Sequence, residues 1–270
     1  MKRIVYILVA VILSGSTVLA QSWRGRTTFP YGKRVDLPAR LPQATYAQVK
    51  GWLTFNFNDV GTIYDLSSLA NTGTPVGVTW ITKTMSFDGL NDHINWQTAA
   101  ADINGSSGTV CMWVYTAFNV LNGVPQNGST NKLVDSRNTL NNFGRLVIGI
   151  QQSADNSLHG AIYDSAGGAT LAAIDTTSDW NSNTWQFLTY SWDYNTDLSF
   201  FHVNAVQTAS DTSGGTAYNR ALATYDCRIG SRSANVGLAQ YYKGRMENVM
   251  LFQRRLLEAE ILSIYNLGHH

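Results

Sequence analysis

Charge is scarce in this chain of 270 residues. Asp, Glu, Lys and Arg together make up 14% of it, well below the quarter usual for soluble domains, and the formal net charge is only +1. That balance leaves no electrostatic reason to expect nucleic acid as a partner. Cysteine is scarcer still. Cys111 and Cys227, with five scattered histidines, make no zinc spacing. Only one long apolar run exists, at the N-terminus, so no membrane span is expected in the mature chain. Disorder is excluded too, because 44% of the residues are hydrophobic, enough to build a core.

What is there begins with MKRIVYILVAVILSGSTVLA (1–20). Lys2 and Arg3 precede about ten apolar residues, and small residues close the stretch, with Val18 and Ala20 where a signal peptidase reads. It is predicted to be a secretory signal peptide cut after Ala20, a single membrane anchor being the alternative. The expected location is therefore secreted, extracellular or at the cell surface. Residues 21–50 differ from the rest. They carry Arg24, Arg26, Lys33, Arg34, Arg40 and Lys50 against Asp36, and three of the five prolines, Pro30, Pro38 and Pro42. Proline fixes φ and extends its predecessor, so this segment reads as a basic arm or linker, a spacer or a device for self-association. The folded domain is expected over 51–270. In an exported chain, Cys111 and Cys227 invite a disulfide. Each also lies in a strand-like run (TVCMWVY, YDCRIGS) and serves equally as a small buried apolar residue.

From Gly51 onward, short apolar runs recur between Gly/Asn/Ser turn signals. They include WLTFNF, VTWITK, TMSFDG, DHINW, TVCMWVYTA, RLVIGIQQ, LHGAIYD, WQFLTYSWD, LSFFHVNAVQTA, YDCRIGS and KGRMENVMLFQ. Many short strands at even spacing predict an all-β sandwich or barrel. TVCMWVY is apolar throughout, as suits a central strand covered on both faces. One helix is expected at the end, where RRLLEAEILSIYNLG aligns Leu257, Ile261, Ile264 and Tyr265 and Gly268 stands ready to stop it.

Five stretches in order resemble the laminin-G-like, concanavalin-A-like jelly-roll domains of exported proteins. They are WLTFNFNDVGTIYDLSSLANTGTPVGVTW, MSFDGLNDHINW (similar to the family's Ser-Phe-Asp-Gly hairpin), GTVCMWVYTA, NTWQFLTYSWDYNTDLSFFHVNAV and YKGRMENVMLFQRRLLEAEI. The resemblance implies a two-sheet antiparallel jelly-roll sandwich with one short C-terminal helix. It says little of function, because the fold serves lectins, adhesion modules, glycan hydrolases and plain structural units.

Asp88-Gly89-Leu90-Asn91-Asp92 is read as a turn, with Phe87 and Ile94 buried beside it, since Gly supplies φ > 0 and Asx side chains bond their own backbone. The resemblance implies a structural calcium at the opening loop, where Asn58, Asp59 and Asp65 offer hard oxygens and Glu247 of the closing strand completes the set. Asn58 replaces a common Asp, and Glu247-Asn248 replaces an acidic pair. For a glycan, an aromatic face stacks on the sugar ring. The candidates are Trp180, Tyr218 and the pair Tyr241–Tyr242, while Trp113, Trp192, Phe187 and Phe201 read as core. Catalysis is not expected. A retaining glycosidase sets two carboxylates about 5 Å apart, yet Glu247 is alone on its strand, Glu258 and Glu260 belong to the helix, and Asp193 and Asp197 flank a turn. His159 and His202 fall in strand runs and read as structural. The expected function is secreted, non-catalytic recognition of a glycan or cell surface. Its rivals are an assembly subunit docking through 21–50 and a divergent glycan-active enzyme.

Overall fold

The computed structural model describes residues 49–55, 62–67, 69, 71–103, 106–116, 131–138, 145–151, 157–163, 169–176, 183–212, 225–232 and 240–269. The stretch expected to be a signal peptide and nearly all of the expected basic arm lie outside them. In chain order the strands are β1 (Val49–Leu53), β2 (Thr74–Val76), β3 (Thr79–Ile81), β4 (Thr84–Asp88) and β5 (His93–Asn95). After a 3-10 turn (Gln97–Ala101) come β6 (Ser107–Thr116), β7 (Asn131–Asn138), β8 (Leu146–Gln151), β9 (Ser157–Tyr163) and β10 (Ala169–Asp175). The rest are β11 (Trp185–Asp193), β12 (Leu198–Val203), β13 (Val206–Asp211), β14 (Tyr225–Ile229) and β15 (Lys243–Phe252), followed by helix α1 (Glu258–Tyr265).

The strands form two antiparallel sheets. The first runs β13-β12-β11-β6-β15-β4-β3, with β1 also paired to β15, and the second runs β10-β9-β8-β7-β14-β5-β2. The expected two-sheet sandwich with one short terminal helix is what forms. Period-two alternation decides which residues meet between the sheets. Val110, Met112 and Val114 of β6 and Leu188, Tyr190 and Trp192 of β11 point inward, against Leu146, Ile148, Ile150, Leu158 and Ile162 of the second sheet. Tyr190 crosses the gap, and its hydroxyl donates to the Leu171 carbonyl at 2.9 Å. A Cβ on Gly160 would come within 2.2 Å of the Tyr190 ring, so only glycine lets the aromatic lie flat on that strand.

As expected, β6 is central and covered on both faces. Its outward residues meet the C-terminal segment. Trp113 stacks on Tyr265 with centroids 5.5 Å apart, and Thr109 Oγ1 donates to the Arg254 carbonyl at 2.8 Å while accepting from the Leu256 amide at 2.9 Å. Helix α1 buries Ile261 and Ile264. Leu257, expected on that apolar face, is instead the exposed N-cap residue, and Leu256 takes the buried place. Trp113, Trp192, Phe187 and Phe201 are core residues as read.

Several expectations are corrected. MSFDGLNDHINW makes the predicted turn, with Asp88 Oδ1 accepting from the Leu90 amide at 2.7 Å, Asp92 Oδ2 accepting from the Asp88 amide at 2.8 Å and Gly89 at φ +83°. It is not a hairpin, however, because β4 belongs to the first sheet and β5 to the second. The turn is a corner that carries the chain across the sandwich, and Phe87 and Ile94 bury in the shared core. Strand β1 starts at Val49, two residues before the expected boundary, since Val49 already pairs with Phe252. LSFFHVNAVQTA is two strands, turning at Asn204-Ala205 with both φ positive. The proposed Cys111–Cys227 bridge does not form: both thiols are free and buried. Alternation puts Cys111 on the outward face of β6, where Thr189 Oγ1 lies 3.5 Å from its sulfur, whereas Cys227 faces the inter-sheet core.

Candidate ligand-binding site

The face of the second sheet turned away from the core carries an unusual concentration of charge. A bulge in β7 between Lys132 and Val134 shifts its register against β8. Leu133 and Val134 consequently both reach the core, while Lys132, Asp135 and Arg137 fall on the opposite face. Gly149 lies across from Lys132 and His159 across from Gly149, so these residues line up over neighbouring strands. A Cβ on Gly149 would lie 2.5 Å from the Asn131 carbonyl oxygen and 3.3 Å from Lys132 Cδ. The missing side chain leaves the lane in which the lysine stem lies.

Around that lane, Lys132, Arg137, Arg145, His159, Tyr163, Arg232 and Gln240 line a cavity of about 200 Å³. Its floor is an ion pair with no solvent exposure on either partner. Arg137 donates from Nε to Asp135 Oδ1 at 2.6 Å and from Nη2 to Oδ2, so both carboxylate oxygens are occupied. Arg145 holds its Cζ 3.7 Å over the Tyr163 ring, a cation–π contact. Lys132 is 8% exposed. Burial first, then repulsion from Arg145, Arg137 and Arg232, brings its pKa down to about 8 despite attraction to Asp135. His159 is pushed down to about 4 by burial and by the neighbouring Lys132 and Arg145, which keeps the imidazole neutral at pH 7. Its Nδ1 is buried without a hydrogen-bond partner. Arg232 is likewise depressed, chiefly by burial and by Arg137. Among the described residues no carboxylate pairs with Lys132, Arg145 or Arg232. Such a site attracts an anion that also offers hydrogen-bonding groups.

The sequence-predicted site residues are not brought together. Tyr242 is fully buried, its ring edge-on to Phe87 at 5.7 Å and its hydroxyl donating to the Tyr115 carbonyl at 2.9 Å. It is a core residue and cannot stack on a sugar. Tyr241 is half-buried, tilted against His93 with centroids 6.4 Å apart. Trp180 and Tyr218 lie outside the described residues, as do Asn58 and Asp59. Asp65 is surrounded by donors. Its Oδ1 accepts from the Trp52 and Ser67 amides at 2.6 and 2.8 Å, and its Oδ2 from Ser67 Oγ and the Asn71 amide at 2.7 and 2.6 Å. A carboxylate so enclosed by N–H and O–H groups fits a loop cap and not a calcium ligand. Glu247 is fully buried and accepts from the Asn248 side-chain amide at 2.9 Å. Among the described residues no three His, Cys, Asp or Glu side chains gather as a metal site requires. Asp193 is a turn residue, its Oδ1 accepting from the Asn195 amide at 3.0 Å.

Residues 88–262 match a family model described as the concanavalin A-like lectin/glucanases superfamily. No curated protein matches the chain. Among solved structures, the chain is similar to the botulinum neurotoxin serotype D binding domain, with a TM-score of 0.62 and 13% identity over 83% of this chain and 53% of that one. The serotype D ligand-binding domain in complex with N-acetylneuraminic acid gives 0.61 and 13%, over 84% and 52%. The sialidase of Trypanosoma rangeli, in complex with 2,3-difluorosialic acid as a covalent intermediate, gives 0.58 and 14%, over 81% and 33%. The chain thus spans about half the length of the toxin domains and a third of the sialidase.

Proposed function

The chain belongs to the concanavalin A-like lectin/glucanases superfamily, and from that premise we propose that it is a secreted, non-catalytic module that recognises a carbohydrate at the pocket on the outer face of the second sheet. The observation that carries this reading is the pocket itself, about 200 Å³ lined by Lys132, Arg145, His159, Tyr163, Arg232 and Gln240. It is recessed on a rigid sheet, one side is an aromatic ring, and the other walls offer hydrogen-bonding groups, as sugar hydroxyls require. Two of the similar solved structures hold sialic-acid compounds, which supports a carbohydrate as the class of ligand. Among the described residues that line the pocket there is no carboxylate, and Asp135 behind them is buried and bound on both oxygens. A glycosidase needs two carboxylates with proton-transfer roles, so recognition without turnover is the better fit. Export through residues 1–20 belongs to the same reading.

A glycan array with the mature protein tests it. Tyr163→Ala and Gln240→Ala should each weaken the positive spots by about tenfold, the loss of one good polar or stacking contact. An array on which both variants match the wild type would remove the pocket from the reading. Release of reducing ends from any positive glycan would replace recognition with catalysis.

A further inference from the structure

Resting on that carbohydrate reading, we propose that the pocket selects an acidic sugar, one whose carboxylate is held by Lys132, Arg145 and Arg232. The first ground is the charge count. Four cationic side chains share the single carboxylate of Asp135, which Arg137 engages through two donors. Three cations therefore converge without a carboxylate of their own among the described residues, in a protein whose whole net charge is +1. Repulsion among them is relieved by one bound anion.

The second ground is geometry. Arg145 holds its Cζ 3.7 Å over the Tyr163 ring, and a guanidinium carries a planar edge of parallel N–H donors. Such an edge matches two coplanar oxygens, the shape of a carboxylate. The third ground is the neutral part of the wall. His159 is uncharged at pH 7 and 5% exposed, with its Nδ1 unpartnered, and Gln240 also lines the cavity. These groups suit hydroxyls. The cavity amounts to about seven water volumes, more than a bare oxyanion fills, so a sugar ring bearing the acid fits better than sulfate or phosphate ion.

The site also links binding to protonation. Lys132 faces Asp135 and Arg137 on its own strand, Arg145 just before β8, His159 and Tyr163 on β9, and Arg232 beyond β14. In the free protein its ammonium loses its proton at about pH 8. A bound carboxylate favours the charged form, so affinity is full below that pH and declines as pH rises through it.

Titration calorimetry with D-glucuronate and N-acetylneuraminate, their methyl esters, and sodium sulfate tests the assignment. At least one of the acids should bind about tenfold or more tightly than its ester, the worth of a charge-assisted contact. Lys132→Met should narrow that preference, weakening the acid several-fold more than its ester. It should fold, since it deletes a buried charge without an ion pair. Arg145→Lys keeps the charge, loses the planar fork, and should weaken the acid several-fold, which provides a second readout. Wild-type affinity for the acid should fall about tenfold between pH 7 and pH 9.5, and stay level in Lys132→Met. Equal binding of acids and esters would overturn the acidic class while leaving carbohydrate recognition intact. Sulfate binding as tightly as the acids would make this a general oxyanion site and overturn the sugar-acid assignment. Failure of every acid and ester, together with a silent glycan array, would sink both readings.

Discussion

Asp65 shows how one side chain fixes an irregular segment. Its two oxygens gather four donors from Trp52, Ser67 and Asn71, and the Asn71 amide group passes the connection on to the Lys50 carbonyl and Asp102 at 2.8 and 2.6 Å. The loop after β1 is thereby tied to the first strand and to the end of the 3-10 turn. Asp65→Ala leaves the buried Trp52 and Asn71 amides without an acceptor, which costs about 2–4 kcal/mol. Urea unfolding of the variant beside the wild type measures it. The residue types alone, Asx near other Asx in a loop, are shared by calcium sites and self-capping turns. Only the direction of the surrounding N–H groups separates the two.

At the scale of strands, legibility followed hydrophobic alternation. TVCMWVY and WQFLTYSWD are dense in apolar and aromatic residues, and β6 and β11 form there. NKLVDSRN and ATLAAID, which form β7 and β10, carry too few large apolar residues at period two to read as strands. The bulge in β7 breaks the alternation further, placing two consecutive apolar residues inward. The candidate site was lost with that strand, because Lys132, Asp135 and Arg137 all ride on it. His159 falls in a strand-like run, where an imidazole reads as structural. A signal did exist: three charged residues within six positions, between turn-like stretches, in a chain so poor in charge. The β12–β13 hairpin reads as one run for a related reason, since Asn204-Ala205 lacks the glycine that usually marks a two-residue turn. Ala205 sits at φ +62°, a region that costs a side chain about 1–2 kcal/mol. Ala205→Gly should therefore raise stability, by about 0.5–1 kcal/mol after the added chain entropy of glycine, seen as a higher thermal midpoint.

Across the whole molecule, the sandwich holds without a covalent cross-link among its described residues. Burial pushes the Cys111 thiol up to about 12, so it is unreactive when folded. A thiol reagent should find close to none of the two cysteines in the native protein and both in denaturant, and a reducing agent should leave the thermal midpoint unchanged. A single accessible or bridged cysteine would contradict the placement of the pair on different faces of different sheets. The two-sheet architecture itself followed from the order of the five family-like stretches, whereas partner choice across sheets did not. The chain crosses from one sheet to the other at Asp88–Asp92, and nothing local distinguishes that corner from a hairpin turn.

The pairing of β1 with β15 bears on how the protein comes into being. Val49 lies opposite Phe252, so the first described strand finds its partner only after some two hundred further residues have been made. The same late strand also fills the space between β4 and β6. Until it arrives, β1 has no neighbour and two strand edges stand open, a state prone to pairing with other chains. Closure must come late and over a long loop, which makes folding slow and makes any delay in completing or releasing the chain a period of exposure to aggregation.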